Sequence, residues 1–403
     1  MTEDKFFTEA SAIDYARTEL NYFASDAQLS AKPLGDGVLN RVFKVVDENT
    51  KRSLIVKQYL PKKDYLGTPW PLTVERAEIA TKVLRAHAFA CPQYTVELLH
   101  ADSKLGVLVL EDLSDHLTWR QILMQRKQVP FAGEHLGVYL ARAAFFNSDY
   151  YVPSMQKKAQ VAETMNAQML QITENLVFSD PYNRHERNKY NLLMANEADL
   201  IQSDQDLHIR VAQLKYKFLN QNQTLLHGNL HSDNILVTET GTKVINGEFG
   251  CYGPISFDVG TLLAHLLLNY VAQPGLTDKN VAEVYQIYLR DQISLLWNTF
   301  TSEFARLMAA ETRDKGFRLA AYQNQALQQI NQDAIGYAGT EMIRRVVGYE
   351  HVPELDTIAQ SQQRAGCEYH ALLIGKTMIM QAEDLTSADD IMALLKRIIQ
   401  QER

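Results

Sequence analysis

The period of the apolar residues changes close to Glu111, and this change constrains the fold more than any other feature of the sequence. Before that point, apolar and polar residues alternate along short segments, which is typical of half-buried strands. After it, apolar residues recur at helical spacing, for example in 133–146, 204–221, 281–304 and 387–401. A small strand-rich part followed by a large helical part predicts an α+β protein with two lobes.

The two lobes are expected to be residues 1–112 and residues 113–403. In the first lobe we predict helices at 8–23 and 73–89, and an antiparallel sheet with strands at 40–46, 53–59, 95–100 and 105–110. In the second lobe, one strand pair at 235–237 and 243–245 is expected to interrupt the helices.

The composition excludes several classes of protein. The 403 residues carry a formal net charge of −8, so no broad basic surface for nucleic acid is expected. Three cysteines, Cys91, Cys251 and Cys367, are far apart and form no CxxC pair, which argues against a zinc site or a disulfide framework. Neither a signal peptide nor an apolar run long enough to cross a bilayer is recognised. We therefore expect a cytoplasmic protein with no nucleic-acid or membrane partner.

Two short motifs in the second lobe hold most of the candidate chemistry. One is His-Gly-Asn at 227–229 and the other is Asn-Gly-Glu at 246–248. Their layout is that of a catalytic loop followed by a metal-binding strand end in enzymes that transfer phosphoryl groups. In that layout an Asp normally stands at the position of Asn229 and accepts the proton of the attacking hydroxyl, and a metal-binding Asp stands at the position of Asn246.

A glycine turn and a lysine strand in the first lobe are ambiguous when each is taken alone. Glycines let backbone N–H groups approach phosphate oxygens, but a plain hairpin turn is the simpler explanation. Lys57 either points to solvent from a half-exposed sheet or holds the phosphates of a nucleotide. The order of turn, lysine strand, helix, hinge strand and the two motifs is that of protein kinases, and in that order the backbone at 111–113 pairs with adenine. The candidate nucleotide-binding residues are Gly35, Asp36, Gly37, Leu39, Asn40, Lys57, Glu111 and Leu113.

Seven stretches that run in order along nearly the whole chain carry a more specific likeness: 35–43, 54–61, 70–73, 178–182, 248–260, 341–348 and 373–377. On these stretches the chain resembles the methylthioribose kinase family, part of the protein-kinase-like superfamily that includes aminoglycoside phosphotransferases. The resemblance implies a bilobal protein-kinase-like fold and ATP-dependent phosphorylation of 5-methylthioribose, a small thiosugar, at its anomeric hydroxyl in methionine salvage. It implies ATP and Mg²⁺ as cofactors, and a homodimer is one expectation for the assembly.

The resemblance also implies that Arg344 and Arg345 bind the substrate together with Asn229. Two guanidinium groups can hold sugar oxygens and neutralise charge on a phosphoryl group in transfer. Without the resemblance, the preferred interpretation is a helix surface on which both arginines pair with Glu341, three and four residues before them.

Two sets of residues depart from the family pattern. Asn229 is the candidate catalytic residue, but an amide has no useful basicity, and loss of a general base typically costs ~10²–10⁴ in rate. Asn234, Asn246 and Glu248 are the candidate metal ligands, but Mg²⁺ prefers carboxylates to neutral amides.

Two further points leave alternatives open. Ala80 stands where the family commonly has the Glu that pairs with the lysine, and Glu78 would point to another face, so Lys57 lacks an evident partner. Asp233 either joins a shifted metal site or merely caps a turn, and the cap is the preferred interpretation. The alternative function is therefore a catalytically inactive kinase-like protein that binds a nucleotide or a small sugar.

Overall fold

The first part of the chain forms a five-stranded sheet in the computed structural model, which describes residues 6–35, 39–64 and 70–400. The strands are β1 (Leu29–Leu34), β2 (Asn40–Asp47), β3 (Ser53–Tyr59), β4 (Leu98–Asp102) and β5 (Val107–Glu111). They lie in the order β1-β2-β3-β5-β4, and every neighbouring pair is antiparallel, as predicted. Helices α1 (Glu9–Thr18) and α2 (Arg76–Ala90) accompany this sheet.

Alternation along the strands sends side chains to two small cores on opposite faces of the sheet. On one face, Val107 and Val109 pack with Tyr15 of α1. On the other face, Leu108 packs with Leu84 of α2. The sheet is therefore covered on both sides, and its α2 face looks towards the helical part of the chain.

The second part of the chain is mainly helical. Its helices are α3 (Trp119–Met124), α4 (Ala132–Phe146), α5 (Ser154–Glu163), α6 (Ala167–Phe178), α7 (Ala195–Ser203), α8 (Gln205–Asn220), α9 (Ser256–Leu276), α10 (Lys279–Glu311), α11 (Ala320–Val347), α12 (Pro353–Asp356), α13 (Ser361–Met380) and α14 (Ala388–Gln400). Helices α9, α11 and α13 pack against one another. Every residue of α11 from Asp333 to Val347 is buried, including the charged Glu341, Arg344 and Arg345. Buried charges need partners of opposite sign, and these partners belong to the candidate site.

The prediction of a single strand pair in the helical part is wrong. Strands β8 (Ile235–Val237) and β9 (Thr242–Val244) pair close to the predicted positions, but β6 (Leu117–Thr118) adds a third strand, and β7 (Thr224–Leu225) pairs with β10 (Tyr252–Gly253). Each additional strand has two residues, which is too short for an alternating pattern to be recognised. The β7–β10 pair brings the chain before the first motif against the chain after the second.

The α+β fold class is confirmed, with differences at the ends of some elements. Strand β3 has the predicted bounds, whereas α1 ends at Thr18 and not at residue 23. Tyr22 and Phe23 lie beyond the helix, and their rings pack against the core of the sheet. In the part of the chain that is described, no helix has the length and apolar character needed to cross a membrane.

Candidate active site

A carboxylate from the helical core fixes the catalytic-loop motif. Asp258, in the first turn of α9, accepts hydrogen bonds from the backbone N–H groups of His227 at 2.7 Å and Gly228 at 3.0 Å. The Nε2 atom of His227 lies 2.9 Å from the carbonyl oxygen of Ile245, which connects this loop to the second motif. Gly228 has a φ of +80°, and a Cβ atom there would lie 2.1 Å from the carbonyl oxygen of Phe249, so this position requires glycine.

The loop presents Asn229 at a narrow pocket in the helical part. The pocket is tight, with a cavity volume of about 20 Å³, and Arg344 and Glu350 also line it. The side chain of Asn229 makes no hydrogen bond with the residues that the structure describes, so it is free to contact a ligand. The structure thus brings two of the predicted substrate-binding residues, Asn229 and Arg344, to one cavity, whereas Arg345 is not among its lining residues.

The two arginines form a buried cluster with two glutamates. Arg344 donates to Glu341 through Nε at 2.5 Å and Nη2 at 3.0 Å, and Arg345 donates to it through Nε at 2.8 Å. Their Nη1 atoms reach Glu350 at 3.2 Å and 3.5 Å, and Nε2 of His265 lies 3.1 Å from Oε1 of Glu341. The same-helix pairing considered from the sequence is therefore present, but it lies in the core and not on a helix surface.

The charges of this cluster are balanced, since two guanidinium groups face two carboxylates. Burial opposes ionisation of Glu341, but Arg344 and Arg345 hold its pKa well below the ordinary value. Burial lowers the pKa of His265 to about 3, so this imidazole is neutral at neutral pH. A ligand that reaches Arg344 would have to share it with two carboxylates, which favours a neutral polyol over a second anion.

Lys57 is buried on the α2 face of the sheet, with 7% of its surface exposed, so the solvent-facing alternative is wrong. Its Nζ atom donates to Oδ1 of Asn246 at 2.7 Å and lies 3.9 Å from Oε2 of Glu248. Glu78 pairs with Lys82 at 2.9 Å and not with Lys57. Burial lowers the pKa of Lys57; burial also opposes ionisation of Glu248, but Lys57 lowers the pKa of that carboxyl overall. The second motif thus supplies the partners that α2 does not.

Three asparagines connect this lysine to the catalytic loop. Asn246 donates through Nδ2 to Oδ1 of Asn234 at 2.6 Å, and Asn234 donates through Nδ2 to the backbone carbonyl oxygen of Asn229 at 2.8 Å. Asn246 has a φ of +72°, a left-handed conformation that Asn and Asp adopt more readily than most residues. The structure therefore places the catalytic candidate and the metal-ligand candidates side by side.

The candidate metal ligands do not fit Mg²⁺ as they stand. The side-chain oxygens of Asn234 and Asn246 each already accept a hydrogen bond, which leaves Glu248 as the one carboxylate of the set. Asp233 does not supply the missing charge, because its carboxylate faces Arg120 at 3.7 Å. No group of three or more His, Cys, Asp or Glu side chains is placed to hold a metal ion within the described ranges. Mg²⁺ is usually bound through one or two carboxylates together with substrate phosphates, and the one carboxylate of this set already pairs with Lys57, so these residues fit Mg²⁺ poorly.

Arg76 of α2 organises the start of β2. Its Nη2 atom donates to the carbonyl oxygens of Leu39 at 2.9 Å and Leu60 at 2.8 Å, and lies 3.4 Å from Oδ1 of Asn40. Arg76 is buried, so it fixes the start of β2 against α2. Two of the predicted nucleotide-binding residues, Leu39 and Asn40, are positioned in this way.

The predicted glycine turn is only partly described. Gly35 has a φ of +73°, and an added Cβ atom would meet nothing within 4 Å, so its backbone conformation, and not crowding, favours glycine here. Asp36 and Gly37 lie outside the described residues.

The predicted hinge joins the sheet to the helical part. The side chain of Glu111, at the end of β5, pairs with Lys243 at 3.0 Å. The backbone N–H of Leu113 has no partner among the described residues and is available as a donor. The pairing of this backbone with adenine stays a prediction.

Sequence reasoning missed three residues that organise the site. Arg120 of α3 lies 3.3 Å from Oγ of Ser232 and 3.4 Å from Nδ1 of His265, so it connects the catalytic loop to the arginine cluster. Asp258 lies inside a stretch that carried the family likeness, and that likeness could have identified it. Arg76 and Arg120 stand in ordinary helical patterns, and no local signal distinguishes them.

The sequence of this chain matches a known family of phosphotransferases. Residues 30–296 match the sequence model of the phosphotransferase enzyme family. A methylthioribose kinase from Yersinia enterocolitica is 43% identical over 391 residues, which cover 97% of this chain and 98% of the relative. A methylthioribose kinase from Pectobacterium carotovorum is 41% identical over the same shares of both chains. Among solved structures, a Plasmodium vivax ethanolamine kinase has a TM-score of 0.44 at 14% identity, and the match covers 91% of this chain and 84% of that one.

The chain belongs to the phosphotransferase enzyme family and, within it, to the methylthioribose kinase family. It is therefore a kinase of a sugar-kinase family.

Proposed function

We propose that this chain transfers a phosphoryl group from ATP to the anomeric hydroxyl of 5-methylthioribose, and that it does so slowly. The observation that carries the proposal is the pocket that Asn229 and Arg344 line together, in a chain whose relatives are named for this substrate. The helical lobe, residues 113–403, holds the sugar, and residues 1–112 hold the nucleotide.

The chemistry of the pocket supports a neutral sugar. Arg344 can donate to sugar oxygens while Glu341 and Glu350 balance its charge. Glu350 itself is partly exposed and can accept from a sugar hydroxyl. Asn229 can accept from the attacking hydroxyl through its amide oxygen and so orient it towards the phosphoryl group.

The nucleotide side rests on two groups. In this proposal the buried ammonium of Lys57 holds the phosphates and the backbone N–H of Leu113 donates to adenine, the roles that these positions have in protein-kinase-like enzymes. The other predicted contacts, at Leu39, Asn40 and the glycine turn, remain part of this proposal.

Slow turnover follows from the amide at position 229. Asn229 cannot take the proton of the hydroxyl, so that proton must go to water or to a phosphoryl oxygen. Loss of a general base typically costs ~10²–10⁴ in rate, while positioning by the pocket and the positive charge of Lys57 remain to support the transfer.

An assay of ADP formation with methylthioribose tests the proposal. The parent should form ADP above its background ATPase rate, and Asn229→Asp should raise kcat by ~10²–10⁴ with little change in KM, because a base acts only in the transition state. Asn220→Asp, at the exposed end of α8, is the matched control and should leave both constants unchanged. Equal kcat in the parent and Asn229→Asp would contradict the assigned role of this position.

A binding protein without turnover is the second candidate. It is favoured by the hydrogen bond between the amides of Asn234 and Asn246, since these side chains find partners without a metal. Such a protein should gain thermal stability with ADP or methylthioribose according to RT ln(1 + [L]/Kd), and should form no ADP even at high protein concentration.

A further inference from the structure

The orientation of the amides next to Lys57 is determined by their donors and acceptors. An ammonium group can only donate, so the atom of Asn246 that lies 2.7 Å from Nζ must be the oxygen. Its NH₂ group then faces Asn234, whose facing atom at 2.6 Å must accept and is therefore also the oxygen. The NH₂ group of Asn234 is left to donate to the carbonyl oxygen of Asn229 at 2.8 Å. Lys57, Asn246 and Asn234 thus form one hydrogen-bonded row, which we call the amide row, with a single consistent orientation.

The amide row uses the atoms that would otherwise hold a metal ion. A divalent cation on Oδ1 of Asn246 would share one neutral oxygen with the ammonium of Lys57, so two cations would meet at an uncharged ligand. Glu248 is the one nearby carboxylate of the set, and at 3.9 Å it already balances the charge of Lys57. Elsewhere in the described residues, Asp233 is committed to Arg120. The row is therefore satisfied and charge-balanced before any metal arrives.

We propose that this chain binds a nucleoside triphosphate without the help of a divalent cation, because the amide row replaces the pair of metal ligands. Lys57 supplies the positive charge for the phosphates, and Asn246 and Glu248 hold its ammonium in place. The inference rests on the nucleotide site of the proposed function and deepens it: any cation present arrives with the nucleotide and is not held by the protein.

Calorimetric titration of ATP into the full-length chain tests this inference, once in EDTA and once in excess Mg²⁺. The parent should give dissociation constants that agree within about threefold in the two buffers, a difference of less than 1 kcal/mol. Asn246→Asp restores a carboxylate and should bind ATP at least about tenfold more tightly in Mg²⁺ than in EDTA. Asn220→Asp adds the same charge at an exposed site and should behave as the parent does.

The melting temperature of Asn246→Asp without nucleotide is a second measurement. Asn246→Asp places a carboxylate oxygen against Oδ1 of Asn234, where the parent has a donor and an acceptor at 2.6 Å. Its melting temperature without nucleotide should therefore fall below that of the parent, and Mg²⁺ should raise it again only in the variant. If the variant does not fold, the two titrations of the parent decide the question by themselves.

Two outcomes overturn the inference and can be told apart. ATP binding by the parent that weakens about tenfold or more in EDTA shows that a metal is held after all, while the proposed function stands. Absence of ATP binding in both buffers removes this inference and the nucleotide site of the proposed function together.

Discussion

Substitution of Glu341 by Gln tests whether the buried arginine cluster is held by charge. Glu341 is 2% exposed and accepts three hydrogen bonds from Arg344 and Arg345, besides its contact with His265. Glutamine keeps the shape, but removes the charge and turns an NH₂ donor towards a guanidinium donor. Among the described residues, Glu350 would then be the remaining ion-pair partner of the two guanidinium groups, at 3.2 Å and 3.5 Å.

The expected cost can be worked out from this geometry. Removing one partner of a buried ion pair costs ~3–5 kcal/mol, because an uncompensated charge remains in the core. Glu350 is 28% exposed and stays in place, so it screens part of the loss but cannot face both arginines at close range. We expect a loss near ~4 kcal/mol for Glu341→Gln, which most folded proteins of ~5–15 kcal/mol stability survive.

Denaturant unfolding of the full chain measures this cost as a fall in midpoint at unchanged slope. The control is Glu283→Gln, which removes the same group from an exposed ion pair with Lys279 and should cost less than ~1 kcal/mol. Adding Arg345→Met to Glu341→Gln should restore part of the lost stability, since it removes one unbalanced charge. A Glu341→Gln loss no larger than that of the control would refute the charge-based account of the cluster.

Three further outcomes are expected. Lys57→Met should weaken ATP binding about tenfold or more and ADP binding less, while the surface substitution Lys104→Met should change neither affinity. Calorimetry measures both affinities, and an ATP affinity equal to that of the parent would remove Lys57 from the site. Arg344→Ala should lower methylthioribose affinity about 30-fold or more and leave ADP binding intact. The effect of Arg345→Ala should be smaller, because Arg345 does not line the pocket. Unchanged sugar affinity in both variants would overturn the assignment of these arginines to the sugar site. Burial lowers the pKa of His87 from 6.5 to about 4, so the unfolded chain binds a proton that the folded chain refuses, and stability is lost as pH falls from 6.5 towards 4. His87→Gln should make the slope of unfolding free energy against pH shallower by up to ~1.4 kcal/mol per unit there, and an unchanged slope would contradict the neutral buried imidazole.

The sequence was sufficient for elements whose signal is local. Strand β3 was predicted with its observed bounds because polar, turn-forming residues precede its apolar run and Pro61 follows it closely. The strand pairs β7–β10 and β6–β8 were missed because two residues carry no periodicity. Their pairing depends on the helical core that brings them together, which no short window of sequence contains.

The candidate site was predictable in its members but not in its contacts. Lys57 was identified, but its partner Asn246 lies 189 residues further along the chain, and only the fold brings them together. The pairing of Arg344 and Arg345 with Glu341 was considered from helical spacing, yet their burial depends on α9 and α13, which pack around α11. Spacing along one helix identifies neighbours on that helix, whereas burial depends on the other elements that pack against it.

The two departures from the family pattern act on different parts of the site, and the geometry separates them. Asn234 contacts the backbone carbonyl of Asn229 and not its side chain, so Asn229→Asp leaves the amide row intact and changes only the pocket. Asn246→Asp, in contrast, breaks the row at its centre, because it removes the NH₂ group that donates a hydrogen bond to Oδ1 of Asn234. Their effects on nucleotide binding should therefore be nearly independent, with Asn229→Asp contributing little. Their effects on kcat should depend on each other, because both substitutions act on one phosphoryl-transfer step and groups that act as a unit are not additive.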